Sequence, residues 1–206
     1  MVSQMLGKDA NFFQEMQTQT GWGRTLKSFA DWCSPNPGWM TLDVGCGPGL
    51  LPAIFANLGC QATGMDLEQG MFQPSPLHPD VLVADVYDLP IKPHTFNLIT
   101  ATNLIFLLAE PVPAMRRIKQ CLIKGGRLAM LNPSDALNQE SALRFVDEKG
   151  LDGVGRDTFL LWAKRAEEHH HWTDAETSDL FREAGMECVE SVVKIGPGFA
   201  RFSWGQ

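Results

Sequence analysis

The sequence lacks any apolar run that reaches the length of a membrane span, which is about 18 residues. Its first residues also lack the order of basic and then apolar residues that is typical of a secretion signal. These two absences predict a cytoplasmic protein with no membrane partner.

Cysteine pairs with the spacing of a metal site are missing as well. The five cysteines lie far apart and form no CxxC pair and no Cys/His ligand pattern, so we expect no metal. Basic runs are equally scarce: none is longer than Arg116-Arg117, and the formal net charge is −7. Since nucleic-acid enzymes need cationic tracks for phosphates, nucleic acid is a disfavoured partner.

What the sequence does contain is enough apolar material for one folded unit. It has 206 residues, of which 44% are hydrophobic and 20% are charged. A chain of this size can bury a full core without disulfides or metals. We therefore expect a single domain.

The most informative segment is residues 41–50. Its first four residues are typical of a buried strand, the glycines at 45, 47 and 49 of a loop, and residues 50–58 of a helix. Gly45 permits a tight turn, Gly47 lets the backbone approach a ligand, and Gly49 lets the helix start close to the strand. Alone, such a turn also serves dinucleotides and phosphates.

Carboxylates end the next two predicted strands. Asp66 ends a strand at residues 60–66, and Asp85 ends one at residues 81–85. A further strand is predicted at residues 96–100. A carboxylate at such a strand end can accept two hydrogen bonds from a ribose diol, so these positions favour a nucleoside ligand.

With these residues the sequence resembles the class I S-adenosylmethionine-dependent methyltransferases, most closely the small-molecule, methyltransferase type 11-like members. The resembling segments follow the family's order and spacing from about residue 40 to residue 190. They are residues 42–49, 64–66 with Met71, 84–85 with 88–90, 122–128 and 181–186.

The resemblance implies S-adenosyl-L-methionine as cofactor and assigns its contacts. The three glycines would line the methionine part, and Asp66 would hold the ribose hydroxyls. Leu67 and Met71 would pack on the adenine face, while Asp85 and Val86 would meet its edge. The remaining cofactor-binding positions implied are Asp43, Cys46, Thr102 and Asn103, and the Trp22-Gly23-Arg24 segment would reach the cofactor carboxylate.

Plainer roles stand beside these assignments. Leu67 and Met71 have the character of core residues, Asp85 could cap a turn, and Arg24 could be solvent-exposed. Small size explains Cys46 in the loop, although a nucleophilic thiol is an alternative. The chain departs from the family at Asn97, where aspartate is common, and at Lys124, where proline is common.

Prolines at positions 74, 76 and 79 form a larger departure. The family has a helix where this chain has residues 71–80. Because proline lacks an N–H and clashes with the preceding turn, we expect a loop and a more open wall beside the adenine.

The alternation of strands and helices predicts an α/β fold. We expect a Rossmann-like, seven-stranded, mostly parallel sheet with an antiparallel last strand and helices on both faces. Thr173 with Glu176 predicts a capped helix that ends near Ala184. Strands at 187–195 and 199–204 would flank a Gly-Pro-Gly turn, and this antiparallel pair argues against a nicotinamide-binding dehydrogenase.

The resemblance divides the 1–206 domain into four parts. Residues 1–39 would form an N-terminal helical lid, 40–133 the cofactor-binding core, 134–172 a lid insertion, and 173–206 the C-terminal helix and β-hairpin. The first part spaces aromatic and methionine side chains at helical intervals, at positions 12, 13, 16, 22, 29 and 32. These side chains could contact a substrate or simply pack.

Histidine candidates for a general base are confined to one run, His169, His170 and His171. A histidine run at a helix end is also typical of a solvated surface. Methyl transfer needs mainly alignment, and a base helps only when the acceptor must lose a proton.

The predicted function is therefore methyl transfer to a small-molecule acceptor. Two alternatives remain: a methyltransferase acting on protein or RNA, and a non-catalytic accessory protein that binds the cofactor. Nucleobase amino-methylation is disfavoured, because the Asn/Asp-Pro-Pro-aromatic motif is absent from residues 101–105. The sequence leaves the acceptor and the oligomeric state open.

Overall fold

The computed structural model describes residues 15–16, 20–72 and 80–206. The helices of this part of the chain are α1 (Trp22–Cys33), α2 (Leu50–Asn57), α3 (Pro111–Cys121), α4 (Gln139–Lys149), α5 (Gly153–Glu168) and α6 (Asp174–Glu183). The strands are β1 (Met40–Val44), β2 (Gln61–Asp66), β3 (Asp80–Val83), β4 (Phe96–Thr102), β5 (Leu122–Pro133), β6 (Cys188–Lys194) and β7 (Ala200–Gly205). Short 3₁₀ turns occupy Gln69–Met71 and Ile105–Leu107.

The strands form one sheet in the order β3-β2-β1-β4-β5-β7-β6. Strand β7 pairs antiparallel with both β5 and β6, whereas the other neighbouring pairs are parallel. The reversal between β6 and β7 needs a tight turn, and Gly198 supplies it with a φ of 108°. The predicted α/β sheet with an antiparallel last strand is confirmed.

Alternating side chains along the strands build two apolar layers. Leu128 and Met130 of β5 face the layer that includes α3 and α6, while Ala129 and Leu131 face the layer that includes α1, α2, α4 and α5. Successive residues of a strand point to opposite faces, so a central strand buried on both faces is apolar throughout. The predicted helices on both faces of the sheet are confirmed.

Helix α6 begins at the capping signal that the sequence predicts. The Thr173 Oγ1 accepts a hydrogen bond from the Glu176 N–H at 3.3 Å, and a Glu176 carboxylate oxygen accepts one from the Thr173 N–H at 2.8 Å. The helix ends at Glu183, with Ala184 as its C-cap. Both predicted ends of this helix are confirmed.

Two predictions fall outside the described residues. The proline-containing loop at residues 73–79 is one, and the aromatic positions Phe12 and Phe13 are the other. Of the predicted N-terminal pattern, Phe29 is buried in the core and packs edge to face on Phe202, with ring centres 5.1 Å apart. Phe29 therefore has a packing role.

Candidate active site

A cavity of about 1030 Å³ opens at the carboxyl ends of β1, β2 and β4. In parallel sheets with this layout, that edge is where ligands bind. Helices α1 and α5 and the connection between α4 and α5 complete the walls. Of the residues that the resemblance implies for the cofactor, those lining the cavity are Trp22, Arg24, Gly45, Cys46, Gly47, Asp66, Leu67, Met71, Val86, Thr102 and Asn103.

The glycine-rich loop between β1 and α2 forms the floor of this cavity. The N–H groups of Gly45 and Cys46 both donate to the Met65 carbonyl, at 2.7 and 2.9 Å, which ties the loop to β2. Gly47 has a φ of 53°, and a Cβ built there would meet nothing within 4 Å. Its backbone therefore faces open space, as close approach of a ligand requires.

Asp66, at the end of β2, is held beside this loop by two backbone donors. Its Oδ2 accepts from the Gly47 N–H at 2.9 Å, and its Oδ1 accepts from the Glu68 N–H at 3.0 Å. A carboxylate has about four lone-pair sites. The two oxygens therefore keep capacity to accept further hydrogen bonds from a diol in the cavity.

Apolar side chains form the wall beyond Asp66. Met71 and Val86 are buried, whereas Leu67 is 62% exposed. All three line the cavity and give it apolar surface beside Asp66. The high exposure of Leu67 argues against the core-packing role that its residue type favours.

Asn103 joins the end of β4 to α5. It has a φ of 53°, and its Oδ1 accepts a hydrogen bond from the Trp162 Nε1–H at 3.1 Å. Asparagine adopts this left-handed conformation more readily than most residues. This hydrogen bond links the residue that follows β4 to α5.

Three of the implied cofactor residues do not line the cavity. Gly49 is the N-cap of α2, with a φ of 92°. Asp85 is exposed, and its Oδ1 accepts from the Tyr87 N–H at 2.9 Å, which is a turn cap. Asp43 is 2% exposed and accepts a 2.7 Å hydrogen bond from the Thr100 hydroxyl of the neighbouring strand.

Burial is the main cause of the pKa shifts of Asp43 and Cys46. It raises the pKa of Asp43 to about 7, against the lowering effect of the Thr100 hydrogen bond, and the Asp66 charge adds to the rise. Burial also raises the pKa of the Cys46 thiol well above its usual range. A thiol kept protonated in this way is a poor nucleophile, so the structure favours the packing role of Cys46.

Comparison with known proteins agrees with this geometry. Residues 42–130 match the family model described as Methyltransferase domain. Residues 42–130 form a class I methyltransferase domain.

One relative of this chain is a ubiquinone biosynthesis O-methyltransferase from Xanthomonas euvesicatoria pv. vesicatoria. The two are 30% identical over 162 residues, which cover 73% of this chain and 63% of the relative. Another relative, from Xanthomonas campestris pv. campestris, is 34% identical over 128 residues, which cover 52% of that relative's length. The chain thus spans between about half and two thirds of the length of these curated relatives.

A solved structure with the same fold is an S-adenosylmethionine-dependent methyltransferase from Thermotoga maritima. It superposes with a TM-score of 0.70 at 16% identity, over 100% of this chain and 99% of that one. At this identity the likeness concerns the fold alone, and it extends beyond residues 42–130 to the full length of this chain.

At the α1 side of the cavity, Trp22 and Arg24 both line the wall. Trp22 packs edge to face on Trp162, with ring centres 5.9 Å apart. Arg24 is exposed, and Met16 lines the same side. The N-terminal region therefore contributes one aromatic, one cationic and one thioether side chain to the cavity wall.

The histidine run lies away from the cavity, after the end of α5. The His170 Nε2 lies 3.2 Å from the Leu108 carbonyl oxygen, and the His170 ring stacks on Trp172. The His171 Nδ1 lies 2.8 Å from the Ala166 carbonyl oxygen, and His169 is exposed as the C-cap. None of the three lines the cavity.

Sequence reasoning missed the residues that α5 and its neighbours bring to the cavity. The sequence analysis assigns residues 134–172 to acceptor binding as a segment, and the side chains that it singles out there are the three histidines, none of which lines the cavity. The helical spacing of Phe159, Trp162 and Arg165 could have indicated one cavity-facing stripe on α5. The other additions include Phe106, Phe145, Thr158, Lys194 and Phe202.

No group of three or more His, Cys, Asp or Glu side chains suited to a metal occurs within residues 15–16, 20–72 and 80–206. In the same part of the chain, no helix has the length and apolar character needed to span a membrane.

Proposed function

We propose that this protein is an S-adenosylmethionine-dependent methyltransferase that acts on a small-molecule acceptor. The observation that carries the proposal is one continuous cavity, which combines the Gly47 and Asp66 cradle with an aromatic-lined space beside it. When bound, S-adenosylmethionine supplies an electrophilic methyl group, and the chain has to hold and orient the two reactants.

The residues present fit this cofactor. Asp66 is placed to accept hydrogen bonds from the ribose diol, and the open backbone at Gly47 allows close approach of the methionine part. Leu67, Met71 and Val86 supply apolar contacts for the adenine. Among related folds, magnesium protoporphyrin IX methyltransferase from Synechocystis, with a TM-score of 0.63 at 16% identity over 90% of this chain and 83% of that one, was crystallised with bound SAH.

A small acceptor fits the rest of the cavity. Its volume of about 1030 Å³ lies at the upper end of the range for small-molecule sites, which leaves space for a second ligand beside the cofactor. The curated relatives described above are O-methyltransferases of ubiquinone biosynthesis, and therefore also act on a small molecule.

Within this proposal, residues 40–133 form the cofactor-binding core and residues 173–206 complete the sheet. The described part of residues 1–39 and residues 134–172 would both border the acceptor, since Trp22 and Trp162 line the cavity and pack on each other with ring centres 5.9 Å apart. Enclosure aligns the acceptor with the methyl group, and alignment supplies up to about 7–11 kcal/mol of the barrier reduction.

No base from the histidine run is required. The cavity-lining residues among those described include no histidine. The chain then contributes chiefly the position of the reactants and the exclusion of water.

Calorimetry and a product assay test the proposal together. We expect binding of S-adenosylmethionine and its demethylated product, and no comparable binding of NAD. Incubation with S-adenosylmethionine and pools of aromatic and aliphatic acceptors should then form demethylated cofactor in at least one pool. Preference for NAD, or cofactor binding with no turnover across broad pools, would contradict the enzyme assignment; the second result would favour an accessory protein.

A further inference from the structure

Five aromatic side chains form a distinct part of the cavity wall. We call it the aromatic lobe and define it by Phe106, Phe145, Phe159, Trp162 and Phe202. These side chains come from α4, α5, β7 and the 3₁₀ turn after β4. The lobe is thus separate from the wall formed by Asp66, Leu67 and Met71.

Ring packing fixes the shape of the aromatic lobe. Phe159 contacts Phe145 at 5.1 Å and Trp162 at 5.8 Å between ring centres, and Phe145 and Phe159 both pack edge to face on Phe199. Such interlocked rings have few alternative rotamers and present rigid apolar surfaces. The lobe therefore suits a planar, apolar body such as an aromatic ring.

One cation that lines the cavity, Arg165, has no side-chain partner among the described residues. Arg165 is half-buried and lines the cavity, yet its guanidinium makes no hydrogen bond or ion pair with any residue that the structure describes. Two other cations of α5 are paired: Lys164 lies 3.5 Å from Glu168, and Arg156 lies 2.6 Å from Asp147. Arg165 is thus the exception on its own helix.

Leaving a guanidinium unpaired in this position is unfavourable. Burial lowers the pKa of Arg165, and the Glu168 charge opposes that effect without forming an ion pair to it. The Thr158 Oγ1, on the same helix and also at the cavity wall, is buried with no hydrogen-bond partner among the described residues. Buried polar groups without partners in a cavity commonly find them in the ligand.

The other charges of the cavity leave this role to Arg165. Asp66 is engaged by backbone N–H groups at the cofactor side. Arg24, on α1, is exposed and remains available for the cofactor carboxylate. The other charged residues that line the cavity are exposed: Glu68, Asp152 and Lys194. Arg165 follows Trp162 by three residues on α5, and both line the cavity. A guanidinium suits a planar anion, because it donates two parallel hydrogen bonds.

We propose that the acceptor is an aromatic compound carrying an anionic group, such as a carboxylate, and that Arg165 binds this group while the aromatic lobe holds the ring. This inference rests on the proposed function, because it names the substrate class of the same cavity. It makes Arg165 a specificity-determining residue for acids over their neutral analogues.

The test uses two isosteric probes, 2-naphthoate and 2-naphthamide, titrated by ligand-observed NMR into protein saturated with demethylated cofactor. We expect the wild type to bind the acid at least about tenfold more tightly than the amide, as a charge-assisted hydrogen-bond pair implies. Arg165→Met should weaken the acid by about tenfold or more and leave the amide within about twofold. Arg165→Lys should retain part of the preference.

Lys164→Met is the matched control, since it removes a neighbouring cation that does not line the cavity, and its probe affinities should equal those of the wild type. Melting temperatures and near-ultraviolet circular dichroism confirm that each variant is folded. Equal affinity of the wild type for both probes, absence of naphthoate binding, or equal weakening of both probes by Arg165→Met would overturn the proposal. So would an Arg165→Met variant that loses cofactor and keeps naphthoate, because Arg165 would then belong to the cofactor carboxylate.

Different results would refute the proposed methyltransferase function and the proposed anion site at Arg165. A protein that binds no S-adenosylmethionine but still prefers naphthoate through Arg165, in titrations without cofactor, refutes the methyltransferase assignment and leaves the anion site intact. A protein that transfers methyl groups but shows no such preference refutes the anion site alone.

Discussion

At the scale of single residues, Asp66 has two sets of hydrogen bonds to make. It holds the Gly47 and Glu68 N–H groups, and we propose that it also accepts from the cofactor ribose. Asp66→Ala should remove charge-assisted bonds worth about 1.5–3 kcal/mol each and lower cofactor affinity by at least about tenfold. Calorimetry with the demethylated cofactor measures this loss.

Asp88→Ala is the control for that experiment. Asp88 lies on the loop after β3, exposed and 3.9 Å from the Arg117 guanidinium, and does not line the cavity. Its removal should leave cofactor affinity unchanged. If Asp66→Ala binds as tightly as this control, Asp66 lies outside the ribose site.

Asp43 gives a second residue-scale prediction, on stability. Its folded-state pKa of about 7 lies above the ordinary value of 3.8. Between those pH values the folded protein binds more protons than the unfolded chain, so the Asp43 contribution to the free energy of unfolding falls as pH rises. Asp43→Asn abolishes this titration and keeps an acceptor for the Thr100 hydroxyl.

We therefore expect the stability of Asp43→Asn, relative to wild type, to increase with pH across this window by up to about 1.4 kcal/mol per pH unit. Urea unfolding at intervals from acidic to neutral pH, without cofactor, provides the measurement. A difference that stays constant with pH would show that Asp43 titrates normally.

Among residues, sequence analysis was most successful where a local motif fixes the role. Gly47 lies in the predicted loop and Asp66 at the end of the predicted strand, and the structure brings both to the same cavity. Asp43 belongs to the same motif, yet its carboxyl bonds a neighbouring strand 57 positions away. That partner depends on strand order, which a local pattern does not contain.

At the scale of elements, α5 is attached to the sheet at the cavity through Trp162 and Asn103, which are 59 positions apart. A double-mutant cycle of Trp162→Phe and Asn103→Gly measures this attachment, and glycine tolerates the φ of 53°. We expect a coupling free energy of about 0.5–1.5 kcal/mol in urea unfolding.

Trp22→Phe combined with Asn103→Gly is the matched cycle. Trp22 packs on Trp162 but makes no hydrogen bond to Asn103. Its coupling should be close to zero. Equal coupling in both cycles would indicate that the aromatic packing, rather than the indole N–H, connects α5 to the strand end.

The ends of a helix were predictable from the sequence where a glycine or a capping residue lies next to that helix. The helix after Gly49 and the capped α6 begin and end within about a residue of the prediction. Strand β3 ends at Val83 rather than at residue 85, because Asp85 caps a turn with its side chain. Helices α4 and α5 carry no motif that the family resemblance links to a ligand, so their cavity-lining side chains are identified only from the packed structure.

For the whole molecule, ligand binding should be measurable as a gain in stability. A ligand that binds only the folded state at a hundred times its dissociation constant adds about 2.7 kcal/mol. For a chain of this size, that gain corresponds to a rise of roughly 5–10 °C in the melting temperature. We expect this rise with the demethylated cofactor and no rise with NAD at equal concentration.

Such a thermal scan also separates the fold from the site. Asp66→Ala should melt near the wild-type temperature without ligand and lose most of the ligand-induced rise. A variant that melts much earlier without ligand would indicate that the Gly47 and Glu68 bonds matter for folding as well as for binding.

The two ends of residues 134–172 meet at one point of the fold. Ser134 forms an isolated parallel bridge with Trp172, and the Ser134 hydroxyl donates to the Gly198 carbonyl at 2.5 Å. For the sheet, a segment whose ends are adjacent is topologically equivalent to a short connection. The length and sequence of this segment can therefore change between homologous chains while the strand order stays the same. Under the proposed function, such changes would alter the acceptor site and leave residues 40–133 unchanged.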